Sequence, residues 1–357
     1  MTANVIKIFL PTTLAFLIGI AITPRLSAYM YAHKLWKKKS RTRNDTITNA
    51  TFATLHNESE ELSTPRVGGI VIWLSVLLTI AIIWTISKVI PTPTTHKLDF
   101  FSRSQTLVPL GSLLLGSMLG LIDDILQING SVIATKAHDR DIRFRYLKIG
   151  LITIAGILIG TWFYQKLGVS SVAIPFSALR FHLGLLFVPF FIMVLLAVFS
   201  GGVIDGMDGL AGGVLAIIFS GYAVIAFGKN QIDIAALCGV ISGGLLAFLW
   251  FNIPPARFYM GETGMMGLLI TLAVIAFLTD TVLLLPLIAF PLVITTASDI
   301  IQICSYKYFG KRRVFKIAPL HHHFHAKGWS KEKVVMRYWV VSIVCVISAV
   351  VIALISK

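Results

Sequence analysis

Residues 182–228 read HLGLLFVPFFIMVLLAVFSGGVIDGMDGLAGGVLAIIFSGYAVIAFG. Two apolar runs, 182–200 and 210–228, enclose nine residues that carry Asp205, Asp208 and four glycines. Each run is long enough to cross a bilayer as a helix, whose backbone groups satisfy one another. Two carboxylates at a span end are costly to place there without a purpose. The fold is therefore a set of membrane-spanning helices, and its chemistry is sought at their ends.

The rest of the chain repeats this pattern. Further apolar runs fall at about 4–23, 67–90, 106–122, 147–165, 233–251, 264–280, 282–304 and 335–355, giving an all-α polytopic membrane protein with about ten transmembrane helices. The first run reads as an uncleaved span rather than a signal peptide. Pro286 and Pro291 predict a kink or break in the run 282–304. The composition agrees: of 357 residues 56% are hydrophobic and 13% charged, with a mean hydropathy of +0.83. Soluble proteins carry about 25% charged residues. A disordered chain and an ordinary soluble globule are excluded. The three cysteines lack disulfide-framework or zinc spacing. No fixed-period repeat or soluble-domain-sized insertion interrupts the pattern, so residues 1–357 are expected to form one transmembrane domain.

The net charge of +15 does not require nucleic acid. Ten spans put both termini on one side. The connections on the other side, about 24–66, 123–148, 201–209, 252–263 and 305–337, hold 23 of the 31 lysines and arginines. Positive-inside bias makes that side cytoplasmic and leaves both termini outside. The basic stretch 34–43 fits a topology determinant beside anionic head groups.

Of the 16 acidic residues, 12 lie in the same connections. Asp123 and Asp124 follow the third run; as adjacent like charges they call for either solvation at a helix end or a divalent cation. Asp205 and Asp208, three apart, share a face if their turn is helical. Glycines around them let backbone approach a ligand. Pro254 and Pro255 stop the helix before the segment FNIPPARFYMGETG, residues 251–264. They leave Glu262 near the next helix start, where negative charge is favoured by the helix end alone. The run His321-His322-His323-Phe324-His325 follows Lys311-Arg312-Arg313. It could bind a transition metal, but consecutive histidines do not converge easily on one ion, and hydrogen bonding or proton donation to phosphate oxygens suits the basic surroundings better.

From about Thr64 to the C-terminus these motifs resemble the phospho-N-acetylmuramoyl-pentapeptide-transferase family of polyprenyl-phosphate sugar-phosphate transferases. The likeness rests on Thr64-Pro65-Arg66-Val67-Gly68-Gly69, Asp123-Asp124, 205–211 (DGMDGLA), 251–264, Ser298 to Lys307 with Gln302, and 318–324 (APLHHHF), in that order. The resemblance implies a dimer in the bacterial inner membrane with its active site on the cytoplasmic side. Its substrates would be UDP-N-acetylmuramoyl-pentapeptide and a polyprenyl (undecaprenyl) phosphate, with Mg2+ as cofactor and UMP released in making the first lipid-linked peptidoglycan precursor. It implies catalytic roles for Asp123, Asp124, Asp205, His321, His322 and His323. Asp208, Asn252, Gln302 and Arg145 would bind substrate, and Glu262 with Asp205 the metal. The chain departs from the family pattern at Glu61, Arg66, Arg145, Phe199, Gly202, Glu262 and His325. Three other readings remain: transfer of another UDP-N-acetylhexosamine, a catalytically silent membrane scaffold of the same fold, and a transporter. Donor assays, magnesium-dependent turnover and flux without chemistry separate them; a lack of midplane charges opposes the last.

Overall fold

A computed structural model describes residues 2–36, 63–101, 104–129, 137–177 and 179–356, with backbone alone for 104–105 and 137–145. Its helices are α1 (Thr2–Ala32), α2 (Ile70–Val89), α3 (Pro93–Leu98), α4 (Ser104–Asn129), α5 (Ala137–Lys166), α6 (Phe187–Ser200), α7 (Leu210–Gly228), α8 (Ile232–Asn252), α9 (Gly261–Leu278), α10 (Leu285–Ile288), α11 (Phe290–Tyr308), α12 (Leu320–Ala326) and α13 (Lys331–Ile355). A two-stranded hairpin, β1 (Ser171–Ala173) and β2 (Arg180–His182), pairs antiparallel with Val172 opposite Phe181.

Among the described residues nine helices are long and apolar enough to cross a membrane. The tenth span is broken as Pro286 and Pro291 predict: the segments 282–288 and 290–308 meet at 80°. Pro291 sits in the first turn of α11, where its missing N–H costs nothing. Burial divides the spans. Of its most apolar stretch, α9 buries 89% and α8 83%, whereas α1 and α5 bury 22%. Thus α7, α8 and α9 form the interior, and the outer helices turn apolar side chains such as Phe9, Leu158 and Val340 towards lipid.

Helices α4 and α9 meet backbone to backbone. A Cβ on Gly116 would stand 2.8 Å from the Cα of Gly267, and one on Gly120 would overlap the Glu262 carbonyl. Small residues spaced in this way let spanning helices approach closely where lipid offers no hydrophobic drive. The seam delivers the end of α4, with Asp123 and Asp124, to the start of α9, with Glu262.

The two ends of the bundle differ. At one end Lys7 pairs with Asp233, Arg180 with Asp280, and the Phe176 N–H donates to Ser356 Oγ, so both termini gather there with the hairpin. At the other end lie Asp123, Asp205, Glu262 and the histidine run. The hairpin was not foreseen, and α5 begins ten residues before the apolar run at 147.

Candidate active site

Residues 63–69 lie along 259–261 as a short backbone ladder. The Tyr259 N–H donates to the Pro65 carbonyl (2.8 Å), Gly68 to Tyr259 (2.9 Å) and Gly69 to Met260 (3.0 Å). At its end Gly261 has φ +68°, and a Cβ there would overlap the Arg66 carbonyl and come 2.5 Å from Asp124 Oδ2. Glycine alone fits this crossing without strain.

Asp124 is buried, yet saturated. Its Oδ1 accepts from the Glu262 N–H (3.2 Å), and its Oδ2 from the Thr263 N–H (2.9 Å) and Thr263 Oγ1 (2.7 Å). A side chain of α4 thus caps the N-terminus of α9, using donors every helix start leaves open. Asp123 is compensated differently: Lys148 Nζ lies 2.7 Å and Gln127 Nε2 2.6 Å from its Oδ2. Lys148 also reaches Glu262 Oε1 at 2.8 Å. The repulsion read from sequence is therefore relieved by an ammonium and a helix end. Lys148 was not singled out there; five basic residues of one connection look alike until tertiary pairing selects one.

The turn after α6 is not a continuous α-helix. Residues Gly201–Ile204 form a 3-10 turn, and Gly209 has φ +77°. Asp205 and Asp208 consequently do not share a helix face, because the helical turn on which that reading depended is not formed. Asp208 Oδ2 accepts from the Ala256 N–H (3.2 Å), tying the turn to the 251–264 segment. Asp205 opens towards solvent but is crowded by protein, which pushes its carboxyl up to about 7; Arg66 opposes this, Glu262 and Asp124 add to it, and the Gly261 N–H opposes it. Arg66 also acts on Asp124.

The histidines close the other side. A Cβ on Gly206 would overlap His321 Nε2 and stand 3.1 Å from His322 Nε2, so both rings rest directly on the Asp205-Gly206 turn. His321 and His322 lie 4.3 Å apart, centroid to centroid. His321 is fully buried, and neither ring nitrogen has a hydrogen-bond partner; burial, then His322, holds it neutral, well below the usual histidine range. His323 faces away: its Nδ1 accepts from the Lys316 N–H (3.0 Å) beside Phe315. There it lines a basic groove of about 710 Å³ with Arg313, Lys316 and Lys327. Helix α12 is seated on α11 by the Leu320 N–H, which donates to Ser298 Oγ (2.9 Å).

Two proposed substrate ligands are engaged with backbone. Asn252 Oδ1 accepts from the Gly209 N–H (2.8 Å) and its Nδ2 donates to the Phe258 carbonyl (2.8 Å). Gln302 exchanges two hydrogen bonds with Phe315, at 3.0 and 3.2 Å. The structure thus brings Asp123, Asp124, Asp205, Glu262, His321 and His322 around one turn, with Asp208 and Asn252 beneath it and Gln302 and His323 to one side. The side chain of Arg145, and Glu61 and residues 37–43, lie outside the described residues. Phe199 is half-buried, and a Cβ on Gly202 would meet Leu269 alone, at 3.5 Å.

Residues 106–280 match the family described as Glycosyl transferase family 4. The chain is 34% identical over 289 residues to the phospho-N-acetylmuramoyl-pentapeptide-transferase of Geobacillus sp. (strain WCH70), covering 80% of this chain and 83% of that one. The protein of the same name from Bacillus subtilis (strain 168) is 32% identical over 287 residues, 79% and 82% of the two chains. That from Thermoanaerobacter pseudethanolicus (strain ATCC 33223 / 39E) is 32% identical over 340 residues, 95% and 96%. With motifs converging from both halves of the sequence and likeness along nearly its whole length, the chain belongs to the phospho-N-acetylmuramoyl-pentapeptide-transferase family.

Proposed function

We propose that this protein transfers phospho-N-acetylmuramoyl-pentapeptide from its UDP-activated form to a polyprenyl phosphate such as undecaprenyl phosphate. UMP leaves, and the product is the first lipid-linked precursor of peptidoglycan. The observation that carries the proposal is the Asp205-Gly206 turn, which lies against His321 and His322 on one side and faces Arg66, Asp124 and Glu262 on the other.

An oxygen of the acceptor phosphate attacks the sugar-proximal phosphorus, and the bond from that phosphorus to the bridging oxygen breaks, so the electron pair departs with UMP. Such a step needs positioning and charge neutralisation more than covalent help. A phosphate monoester with its second pKa near 6 is already largely ionised at neutral pH. Asp124, with both oxygens taken, positions the α9 N-terminus. Any remaining proton passes to Asp123, whose hydrogen bonds with the described residues fall on Oδ2. Arg66 and the exposed edge of His322 donate to phosphate oxygens, His321 backs His322, and Arg145 reaches the nucleotide. Asp208 and Asn252 hold the turn, while Gln302 sets the 313–316 loop and with it His323, which meets the sugar-peptide part.

The donors suit a divalent cation, Mg2+ in this proposal. Glu262 and Asp124 both raise the cost of ionising Asp205, a surplus of negative charge that a cation relieves. All are oxygen ligands, as a hard cation prefers. Among the described residues no three His, Cys, Asp or Glu side chains are pre-grouped as a metal site. That is compatible with magnesium, which takes one or two carboxylates and completes its shell with water and substrate phosphates. Asp205 and Glu262 would hold it. When bound, the cation neutralises charge on the pyrophosphate. We place the aspartate-bearing end in the cytoplasm of a bacterial inner membrane, with both termini outside, in a homodimer whose chains are each one membrane domain.

The test is UMP release by purified protein in detergent, given UDP-N-acetylmuramoyl-pentapeptide, a polyprenyl phosphate and magnesium. The expected result is lipid-dependent release abolished by EDTA. No release from folded protein overturns the proposal, and release only from another UDP-N-acetylhexosamine changes the donor.

A further inference from the structure

Lys148 stands where two needs meet. Its ammonium is within 2.8 Å of both Asp123 and Glu262, and its side chain is 18% exposed, so little water shares the pairing. It leaves α5 within its first membrane turn and crosses to carboxylates carried by α4, its neighbour in the chain, and by α9, more than a hundred residues on. Glu262 is the longer acidic residue, and its extra methylene is what extends Oε1 to Lys148 while its backbone N–H is held by Asp124.

We propose that Lys148 is the resident counter-cation of the substrate-free site: it holds Glu262 on Asp123, and a divalent cation must take Glu262 from it. This rests on the reading that Asp205 and Glu262 hold the cation. A dication on either oxygen of Glu262 would stand no further than one carboxylate group from the ammonium on Oε1, where the two positive charges repel. Occupation by metal therefore releases Glu262 from Lys148 and leaves the ammonium with Asp123. Lys148 so acts as a positioning residue that sets how much metal the site requires and keeps Glu262 from drifting when none is bound. The pairing also accounts for the coexistence of a lysine at 148 with glutamate at 262.

The test is Mn2+ binding to the full-length protein in detergent without substrate, followed by the EPR signal of free Mn2+, with thermal unfolding measured in parallel. Lys148→Met removes the competitor, so Mn2+ is expected to bind roughly tenfold more tightly although the metal-free protein melts earlier. Lys148→Gln, which can still hydrogen-bond one carboxylate, shifts affinity the same way and serves if the methionine variant does not fold. Lys148→Arg keeps the charge and stays within about twofold of the parent. In a Glu262→Gln background the lysine substitution no longer tightens binding. A purely structural lysine would lower the melting temperature without tightening Mn2+, and unchanged or weaker binding in both uncharged variants overturns the proposal. Absence of Mn2+ binding in parent and variants alike overturns it together with the cation reading, whereas metal binding unaffected by Lys148 overturns the lysine's role alone.

Discussion

Replacing Gly261 by alanine tests the crossing on which the site is built. Two costs combine. The residue has φ +68°, and an L side chain in that region costs about 1 kcal/mol relative to glycine. The new Cβ also overlaps the Arg66 carbonyl, and a carbon–oxygen contact needs roughly 3.3 Å. The 63–69 segment must retreat, although it is joined to 259–261 by the Pro65–Tyr259, Gly68–Tyr259 and Gly69–Met260 bonds. Losing two of these at about 1 kcal/mol each gives roughly 3 kcal/mol in total. Gly168 provides the control: it has φ +65° and nothing within 4 Å of a built Cβ, so its alanine variant incurs the conformational cost alone. At roughly 2 °C per kcal/mol for a chain of this size, Gly261→Ala should melt about 6 °C lower and Gly168→Ala about 2 °C lower in detergent. The methyl would also stand 2.5 Å from Asp124 Oδ2 and displace it from Thr263. UMP release should then fall on the order of 100-fold in Gly261→Ala and stay unchanged in Gly168→Ala. Equal melting of the two variants with full transfer by Gly261→Ala would refute the reasoning.

Asn252→Ala strands the buried Gly209 N–H and Phe258 carbonyl, and thermal unfolding should show a loss of roughly 2–4 kcal/mol. Asn252→Asp, which sets a buried carboxylate oxygen against the Phe258 carbonyl, should lose at least as much. His321 is neutral when folded and protonates on unfolding below its ordinary pKa near 6.5, so its contribution is complete above that value and declines as pH falls. The loss grows as pH falls further below that value, and melting curves of His321→Leu should lack that pH-dependent component. Asp205→Asn and His322→Ala should each abolish UMP release while melting like the parent; full turnover in either removes that residue from the site.

The spans were legible because a bilayer demands about 20 apolar residues, and each such run is plain in the sequence. Helix ends were less so: α5 continues through polar residues 137–146 beyond the apolar thickness. The break at Pro286 and Pro291 was visible because proline removes a donor wherever it stands. The relation of Asp205 to Asp208 stayed conditional in the sequence because a spacing of three fixes a shared face only in a helix, and Gly206 and Gly209 permit a turn instead. Asn252 and Gln302 came forward only through the family resemblance, and their partners here are backbone atoms, which no side-chain pattern announces. Lys148 was hidden for a related reason: an ion pair 114 residues apart with Glu262 leaves no local trace. The hairpin at 171–182, three residues per strand with one strand fully exposed, lacks the alternation that marks a half-buried sheet.

The glycine seam between α4 and α9 gives one side of the active face a rigid backbone frame. With Gly116 and Gly120 against Gly267 and Glu262, neither helix can slide or roll without backbone striking backbone. Asp124 and Glu262 are therefore fixed to one another as on a single casting. The histidines ride on seven-residue α12, moored to α11 through Ser298 and approached by a loop that Gln302 steadies. Any opening that admits a bulky donor and releases UMP must then come from outside this seam, which holds the backbone at 124 and 262 in one register while the side chains change partners.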